Sequence, residues 1–325
     1  MREVIKSLYQ NVKGQVRLNG ELSEEFEMKN GLKQGDSLSP LLFITVMDQV
    51  LKNCKSKTKK LTLGYYKMQP TYTQALLYAD DVVLITESKE ELQNAVTSWA
   101  TEMENRGMIL NINKSKIMRI SKETSDEELS IKWRDEELER VEQYTYLGVT
   151  ISSNGKLDEE INSRIAKANK IYYQLNQTIL GKKEVERKTK LQIYDSIYIP
   201  TLLYGSKSWV FNKKVESRMN AAEMKALRKV YGVTKRDRIR NQTIRDELKM
   251  QSVIDRMERK TLSWYGHVIR MSEERLPRKI LETKSIGNRG KGRPRVKWEE
   301  YVKDLCNRKG TTITETKRKA KDRKE

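Results

Sequence analysis

Apolar residues recur in two rhythms along this chain, as short runs in the first half and as helical stripes in the second. Ala75-Leu76-Leu77 and Val82-Val83-Leu84-Ile85 are runs of strand length on either side of Tyr78-Ala79-Asp80-Asp81. They predict a β-hairpin with two carboxylates at its turn. Upstream, the pattern predicts a short helix, then strands over residues 15–18 and 25–28 joined by a turn at Asn19-Gly20. A polar stretch then leads into Pro40 and apolar residues as far as Leu51. This predicts a helix capped by Ser39, with Pro40 in its first turn and most of its circumference buried.

Residues 89–106 carry one apolar stripe, Leu92, Ala95, Val96, Trp99 and Met103, behind a Ser88/Glu91 capping box and ahead of Gly107. Closing strands are expected over residues 131–133 and 144–151, and Ser152-Ser153-Asn154-Gly155 reads as a turn and a domain boundary. Beyond it the period is helical. Ile161, Ile165, Ala168, Ile171, Tyr172 and Leu175 mark one helix, Leu191, Tyr194, Ile197 and Tyr198 a second, and Val215 to Val230 a third. Thr243 with Asp246 opens a fourth, and residues 253–264 belong to a fifth. The expected fold class is α+β.

Composition adds a partner to this picture. The chain has 325 residues, 34% of them charged, with a formal net charge of +20. Clustered Lys and Arg gain affinity for phosphates by releasing counterions, so a polyanion is implied. Residues 275–325 hold 18 Lys and Arg against 7 Asp and Glu, which is +11 of the +20. A solubilising tail has the same composition, so the charge alone does not separate the two. No run of 18 apolar residues and no basic-then-apolar leader occurs, so no membrane partner is expected. Cys54 and Cys306 do not make a disulfide framework, which suits an intracellular compartment. His267 is the single histidine, so a Cys/His zinc knuckle cannot be assembled, and it is expected to be structural.

The chemistry gathers at two places. Adjacent carboxylates at Asp80 and Asp81 repel unless a divalent cation neutralises them, and Mg²⁺ takes carboxylate and phosphate oxygens in phosphoryl displacement. A solvated Asp-Asp turn is the plain alternative. In Asn30-Gly31-Leu32-Lys33-Gln34-Gly35-Asp36-Ser37-Leu38-Ser39-Pro40-Leu41-Leu42-Phe43, Gly35 permits close backbone approach to a ligand, and Gln34 can hydrogen-bond a base or sugar. The segment Gly287 to Arg295 resembles an AT-hook core, making Lys291, Arg293 and Arg295 candidate nucleic-acid contacts, although Gly/Arg/Pro linkers share that composition.

Together, and in this order, the Gly-x-x-Gln-Gly-Asp element and Tyr-Ala-Asp-Asp resemble the palm of LINE-type (non-LTR) retrotransposon reverse transcriptases. Leu110 to Met118 is similar to the next palm element, whose lysine lies near the incoming nucleotide; Lys114 matches it best, and an exposed strand-edge lysine fits equally. Tyr146-Leu147-Gly148-Val149-Thr150-Ile151 is similar to the primer-grip strand, and Leu203-Tyr204-Gly205 and Trp264-Tyr265-Gly266-His267 resemble the region that follows.

The resemblance implies metal-dependent nucleotidyl transfer with Mg²⁺ or Mn²⁺ on Asp80 and Asp81, and Gln34, Gly35, Tyr78 and Lys114 around the nucleotide. RNA template, DNA primer and dNTP would be the partners, in the nucleus. It also implies a partial palm over 1–152, a helical thumb over 153–235, a basic helical region over 236–305 and a disordered basic tail over 306–325. The family's palm begins on a strand bearing another metal-binding Asp, whereas the first Asp here is Asp36. The expectation is therefore the C-terminal part of such a polymerase, inactive alone, or else a non-catalytic nucleic-acid-binding remnant or co-opted protein.

Overall fold

The computed structural model describes residues 2–28, 31–121, 129–284 and 296–322. It divides into two compact units, the first 1–63, 72–117 and 127–140, the second 64–71, 118–126 and 141–325. The mixture of helices with small sheets agrees with α+β.

In the first unit, α1 (Arg2–Tyr9) precedes two short antiparallel pairings. The strands β1 (Lys13–Gly14) and β4 (Phe26–Glu27) pair, and inside them β2 (Arg17–Leu18) pairs with β3 (Glu21–Leu22) across Asn19-Gly20. Both turn residues have positive φ, 50° and 95°, as a primed two-residue hairpin turn requires. The strand expected at residues 25–28 thus pairs with β1, not across that turn.

Helix α2 (Ser39–Lys55) has Pro40 in its first turn, but Leu38 is its N-cap and Ser39 its first residue. The Ser39 hydroxyl donates to the Lys33 carbonyl at 2.7 Å instead of capping. Its burial is also narrower than expected: Met47, Val50 and Cys54 are buried while Leu41 and Ile44 are 61% and 59% exposed.

The strands β5 (Leu61–Tyr66) and β6 (Gln69–Thr73) form a hairpin, followed by the β7 (Ala75–Tyr78) and β8 (Asp81–Leu84) hairpin. Helix α3 (Lys89–Glu104) starts where Ser88 Oγ accepts from the Glu91 amide. It buries Ala95, Val96 and Trp99 of the predicted stripe, leaves Leu92 and Met103 half-buried, and buries Ala100 and Glu102 besides. Two small pairings complete the unit. Strand β9 (Lys116–Ile117) runs parallel to β12 (Glu139–Arg140), and β10 (Lys132–Trp133) pairs with β11 (Glu136–Glu137).

In the second unit β13 (Gln143–Tyr146) and β14 (Val149–Ser152) form a hairpin, followed by helices. These are α4 (Asp158–Leu175), α5 (Arg187–Ile193), α6 (Ile199–Leu202), α7 (Lys213–Tyr231), α8 (Asn241–Leu248), α9 (Val253–Arg270), α10 (Leu276–Glu282), α11 (Trp298–Arg308) and α12 (Ile313–Lys321). Wide π-helical turns at Asn176–Leu180 and Tyr194–Tyr198 extend α4 and join α5 to α6.

One core holds Ile161, Tyr194, Tyr198, Trp209, Met219, Leu227, Met257 and Leu305, with Tyr198 donating to the Ala222 carbonyl at 2.7 Å. A smaller cluster joins Tyr265, Ile269, Val302 and Cys306, with Ile313 and Ala320 packed against it. The stretch expected to be a disordered tail therefore holds a helix, started by Thr312 Oγ1 accepting from the Glu315 amide and docked through Ile313 and Ala320.

The hairpin tip 64–71 belongs to this unit, where Tyr65 bridges Lys284 through two backbone hydrogen bonds of 3.0 and 2.9 Å. A Cβ on Gly64 would run into the Lys284 carbonyl, so only glycine allows that bridge. Among the described residues no helix is long and apolar enough to cross a membrane.

Candidate metal and nucleotide site

The β7–β8 register pairs Ala75 with Leu84, Leu76 with Val83, Leu77 with Val82 and Tyr78 with Asp81. Alternation along a strand puts Ala75, Leu77, Val82 and Leu84 on one face. That face packs on Val50, Cys54 and Trp99 of α2 and α3. The other face carries Tyr78 and Asp81, both exposed. Ala79 and Asp80 make the two-residue turn, with Ala79 left-handed at φ 53°. Such a conformation in a residue with a Cβ costs about 1–2 kcal/mol, so packing of the strands must hold the turn in place.

The structure thus gathers Tyr78, Asp80 and Asp81 at one exposed turn on a packed base. Gln34, Gly35 and Lys114 lie elsewhere in the same unit. Gln34 and Gly35 are exposed in the loop before α2, where Gly35 has φ 88° and open space around its Cα. Asp36 beside them accepts from the Tyr9 hydroxyl at 3.0 Å and the Leu38 amide at 3.3 Å. Lys114 is exposed in the turn before β9, its amide donating to Asn111 Oδ1 at 3.1 Å. Lys291, Arg293 and Arg295 lie outside the described residues.

Behind the hairpin, α2 and α3 are tied by a buried carboxylate. Glu102 accepts from Asn53 Nδ2 at 2.7 Å and from Arg106, with Lys57 at 3.8 Å. The Asn53 amide and the Arg106 guanidinium hold its carboxyl below the ordinary carboxylate value. Burial, reinforced by Glu102, pushes the Cys54 thiol up to about 11.

Asp80 and Asp81 offer hard oxygen donors of the kind Mg²⁺ and Mn²⁺ take. Among the described residues no group of three or more His, Cys, Asp or Glu converges to hold a metal. The pair therefore fits such an ion as part of a ligand set.

In the second unit a buried clamp fixes the β13–β14 turn. Glu160, fully buried, accepts from Arg164 Nε at 2.7 Å and from the Thr150 amide at 2.6 Å. Arg164 also donates to the Gly148 carbonyl and lies 4.8 Å from the Tyr204 ring centre. Tyr204 in turn donates to the Leu147 carbonyl at 2.8 Å. Leu147 and Gly148 have φ 46° and 79°, and a Cβ on Gly148 would sit 3.3 Å from the Tyr204 ring. Glu160 and Arg164 are an i,i+4 pair, visible in the sequence but indistinguishable there from a solvated one.

Residues 1–151 match the family described as "Reverse transcriptase (RNA-dependent DNA polymerase)". A transposon-derived protein of Caenorhabditis elegans is 26% identical over 259 residues, 77% of this chain and 92% of that protein. A Pol polyprotein from the type-1 retrotransposable element R2 of Nasonia vitripennis is 28% identical over 171 residues, half of this chain and 16% of that protein. The Pol polyprotein from the type-2 element R2DM of Drosophila melanogaster is 33% identical over 154 residues, 44% of this chain and 14% of that protein. The chain thus spans nearly all of the worm protein but only 16% and 14% of these two polyproteins.

Proposed function

Because residues 1–151 belong to the reverse-transcriptase family, of the non-LTR retrotransposon kind, we infer that this chain carries part of an RNA-directed DNA polymerase. In this reading Asp80 and Asp81 are its metal ligands. The observation that carries it is the exposed Asp80-Asp81 turn on a hairpin whose opposite face is packed against α2 and α3. Mg²⁺ or Mn²⁺, when bound there, would neutralise charge on the reacting phosphate oxygens. Tyr78 lies beside Asp81 in register and would shape the floor on which the primer end and a dNTP meet. Gln34 and the open backbone at Gly35 would contact nucleotide or template, and Lys114 would meet a phosphate. RNA template and DNA primer would be the macromolecular substrates.

Two carboxylates are an incomplete set for this chemistry, and phosphoryl transfer depends on complete electrostatic positioning. The 325-residue chain alone is therefore read as catalytically silent. Mn²⁺ titration followed by paramagnetic resonance should show weak binding that Asp80→Asn/Asp81→Asn abolishes; identical curves would remove the metal site. Primer extension on an RNA template should stay at the level of that same variant. Robust metal-dependent extension by the wild-type chain would overturn the incomplete-set argument. A second reading, non-catalytic nucleic-acid binding, draws on the +20 charge and predicts tight binding unchanged by Asp80→Asn/Asp81→Asn.

A further inference from the structure

Helix α9 is two-faced. Val253, Met257, Thr261, Tyr265, Val268 and Ile269 are buried. On the opposite side Arg256, Lys260, Trp264 and His267 follow one another at four, four and three residues, a stripe about 16 Å long at the helical rise. Lys207, on the short turn after α6, joins that stripe. Its ammonium lies 4.1 Å from the Trp264 ring centre, and its carbonyl accepts from Trp298 Nε1 at 3.2 Å, which fixes the backbone there. The His267 ring sits 5.3 Å from Trp264, tilted by 34°. His267 is exposed, so the structural role expected from sequence gives way to a surface one.

The charges on this stripe are poorly balanced. Arg256 pairs with Asp195 at 2.8 Å. The carboxylates on α9 itself are engaged elsewhere: Glu258 binds Arg308 and Lys309, and Asp255 caps the helix with Ser252. Among the described residues Lys207 and Lys260 have no ion-pair partner. Partial burial, Arg256 and Lys207 all hold the Lys260 ammonium below its ordinary value. Like charges held together beside an aromatic pair gain free energy when a phosphate comes between them, and a base can use the rings.

We propose that Lys207, Arg256, Lys260, Trp264 and His267 form a single-stranded nucleic-acid site, with phosphates at the cations and a base against the Trp264–His267 pair. The proposal rests on the nucleic-acid reading above but is independent of the metal site. A duplex keeps its bases stacked inside and would engage only the cations. An acidic peptide would use the cations and leave the rings idle.

The test is fluorescence anisotropy of the full chain with labelled single-stranded RNA, single-stranded DNA and duplex of equal length. Lys207→Ala/Lys260→Ala should weaken both single strands about tenfold and lower the log–log salt slope by about 1.4, two contacts at about 0.7 each. The exposed pair Lys183→Ala/Lys188→Ala, which removes equal charge elsewhere, should shift affinity less than about threefold on the same electrostatic ground. His267→Ala should weaken single strands and leave the duplex unchanged. Thermal melts of each variant should lie close to wild type, since none of the altered residues belongs to a buried core. Equal losses in the two lysine pairs, equal losses on duplex and single strand from His267→Ala, or equal displacement by polyglutamate would each overturn the site. Binding that survives with no response to Lys207→Ala/Lys260→Ala refutes this site alone, whereas no nucleic-acid binding at any salt refutes the wider nucleic-acid reading.

Discussion

Replacing Arg164 with Met should cost the second unit much of its stability. The side chain is 6% exposed and holds three partners at once: the Glu160 carboxylate, the Gly148 carbonyl and the Tyr204 ring. Methionine fills comparable space but cannot donate. Glu160, fully buried, would keep one backbone hydrogen bond, from Thr150, and lose its counter-charge. Removing one member of a buried pair costs about 3–5 kcal/mol, because the remaining charge is stranded away from water. For a unit of about 200 residues, at about 2–4 °C per kcal/mol, this is a fall of roughly 6–20 °C in Tm. Urea denaturation followed by circular dichroism would measure it. Adding Glu160→Gln to Arg164→Met should recover more than half of the loss, since no lone charge is then buried. A loss under about 1 kcal/mol, or a double variant that loses the sum of the two single losses, would show that the pair is not coupled as described.

Three further outcomes are expected. The Glu102 carboxyl is held below its ordinary value of 4.5, so its contribution is present above that pH and is lost as pH falls through the depressed value. Glu102→Gln should therefore lower Tm at pH 7 and flatten the acid limb between pH 5 and 3, and parallel wild-type and variant profiles would contradict this. Affinity for nucleic acid should fall on the order of a thousandfold between 50 and 200 mM salt if about six phosphates are engaged. Changing Arg318, Lys319 and Lys321 to Gln should flatten that slope, and a salt-independent affinity for one sequence would refute the electrostatic account. Cys54 and Cys306 are both buried, with the Cys54 thiol raised to about 11, so neither should react with a thiol reagent at pH 8 until the chain unfolds. Rapid native-state labelling would refute that burial.

Where local rules act alone, sequence and structure agree. Ser88 caps α3 and the centre of its stripe is buried, because an N-cap and a 3.6-residue period need no distant partner. The Asp80-Asp81 hairpin is legible for the same reason, as two short apolar runs flank a tight turn. Tertiary context decided the rest. Ser39 looks like a cap but finds the Lys33 carbonyl, and Leu38 takes its place. Lys and Arg in the last 20 residues suggested an unfolded tail, yet Ile313 and Ala320 are sufficient to dock α12 on the Tyr265 cluster. Nothing in the sequence marks Glu102, Glu160 and Arg164 as buried, because a carboxylate's burial depends on which neighbour supplies its counter-charge. The stripe on α9 was hidden likewise: Lys207 precedes it by 49 residues, and only folding brings that ammonium over Trp264.

The early strands have a colloidal consequence. Val16, Leu18 and Leu22 are more than half exposed, Phe26 nearly so, and each pairing there is two-stranded among the described residues. Short ribbons with apolar side chains are adhesive toward further strands, and here a net charge of +20 opposes that adhesion. The Debye length shrinks from about 30 Å at 0.01 M salt to about 3 Å at 1 M, so added salt removes the protection while leaving the adhesion. The salt that releases nucleic acid is thus the salt that lets copies of this chain find one another. A bound polyanion, by neutralising the charge, would bring the same crowding about at low salt. Solubility and occupancy are two readings of one electrostatic balance.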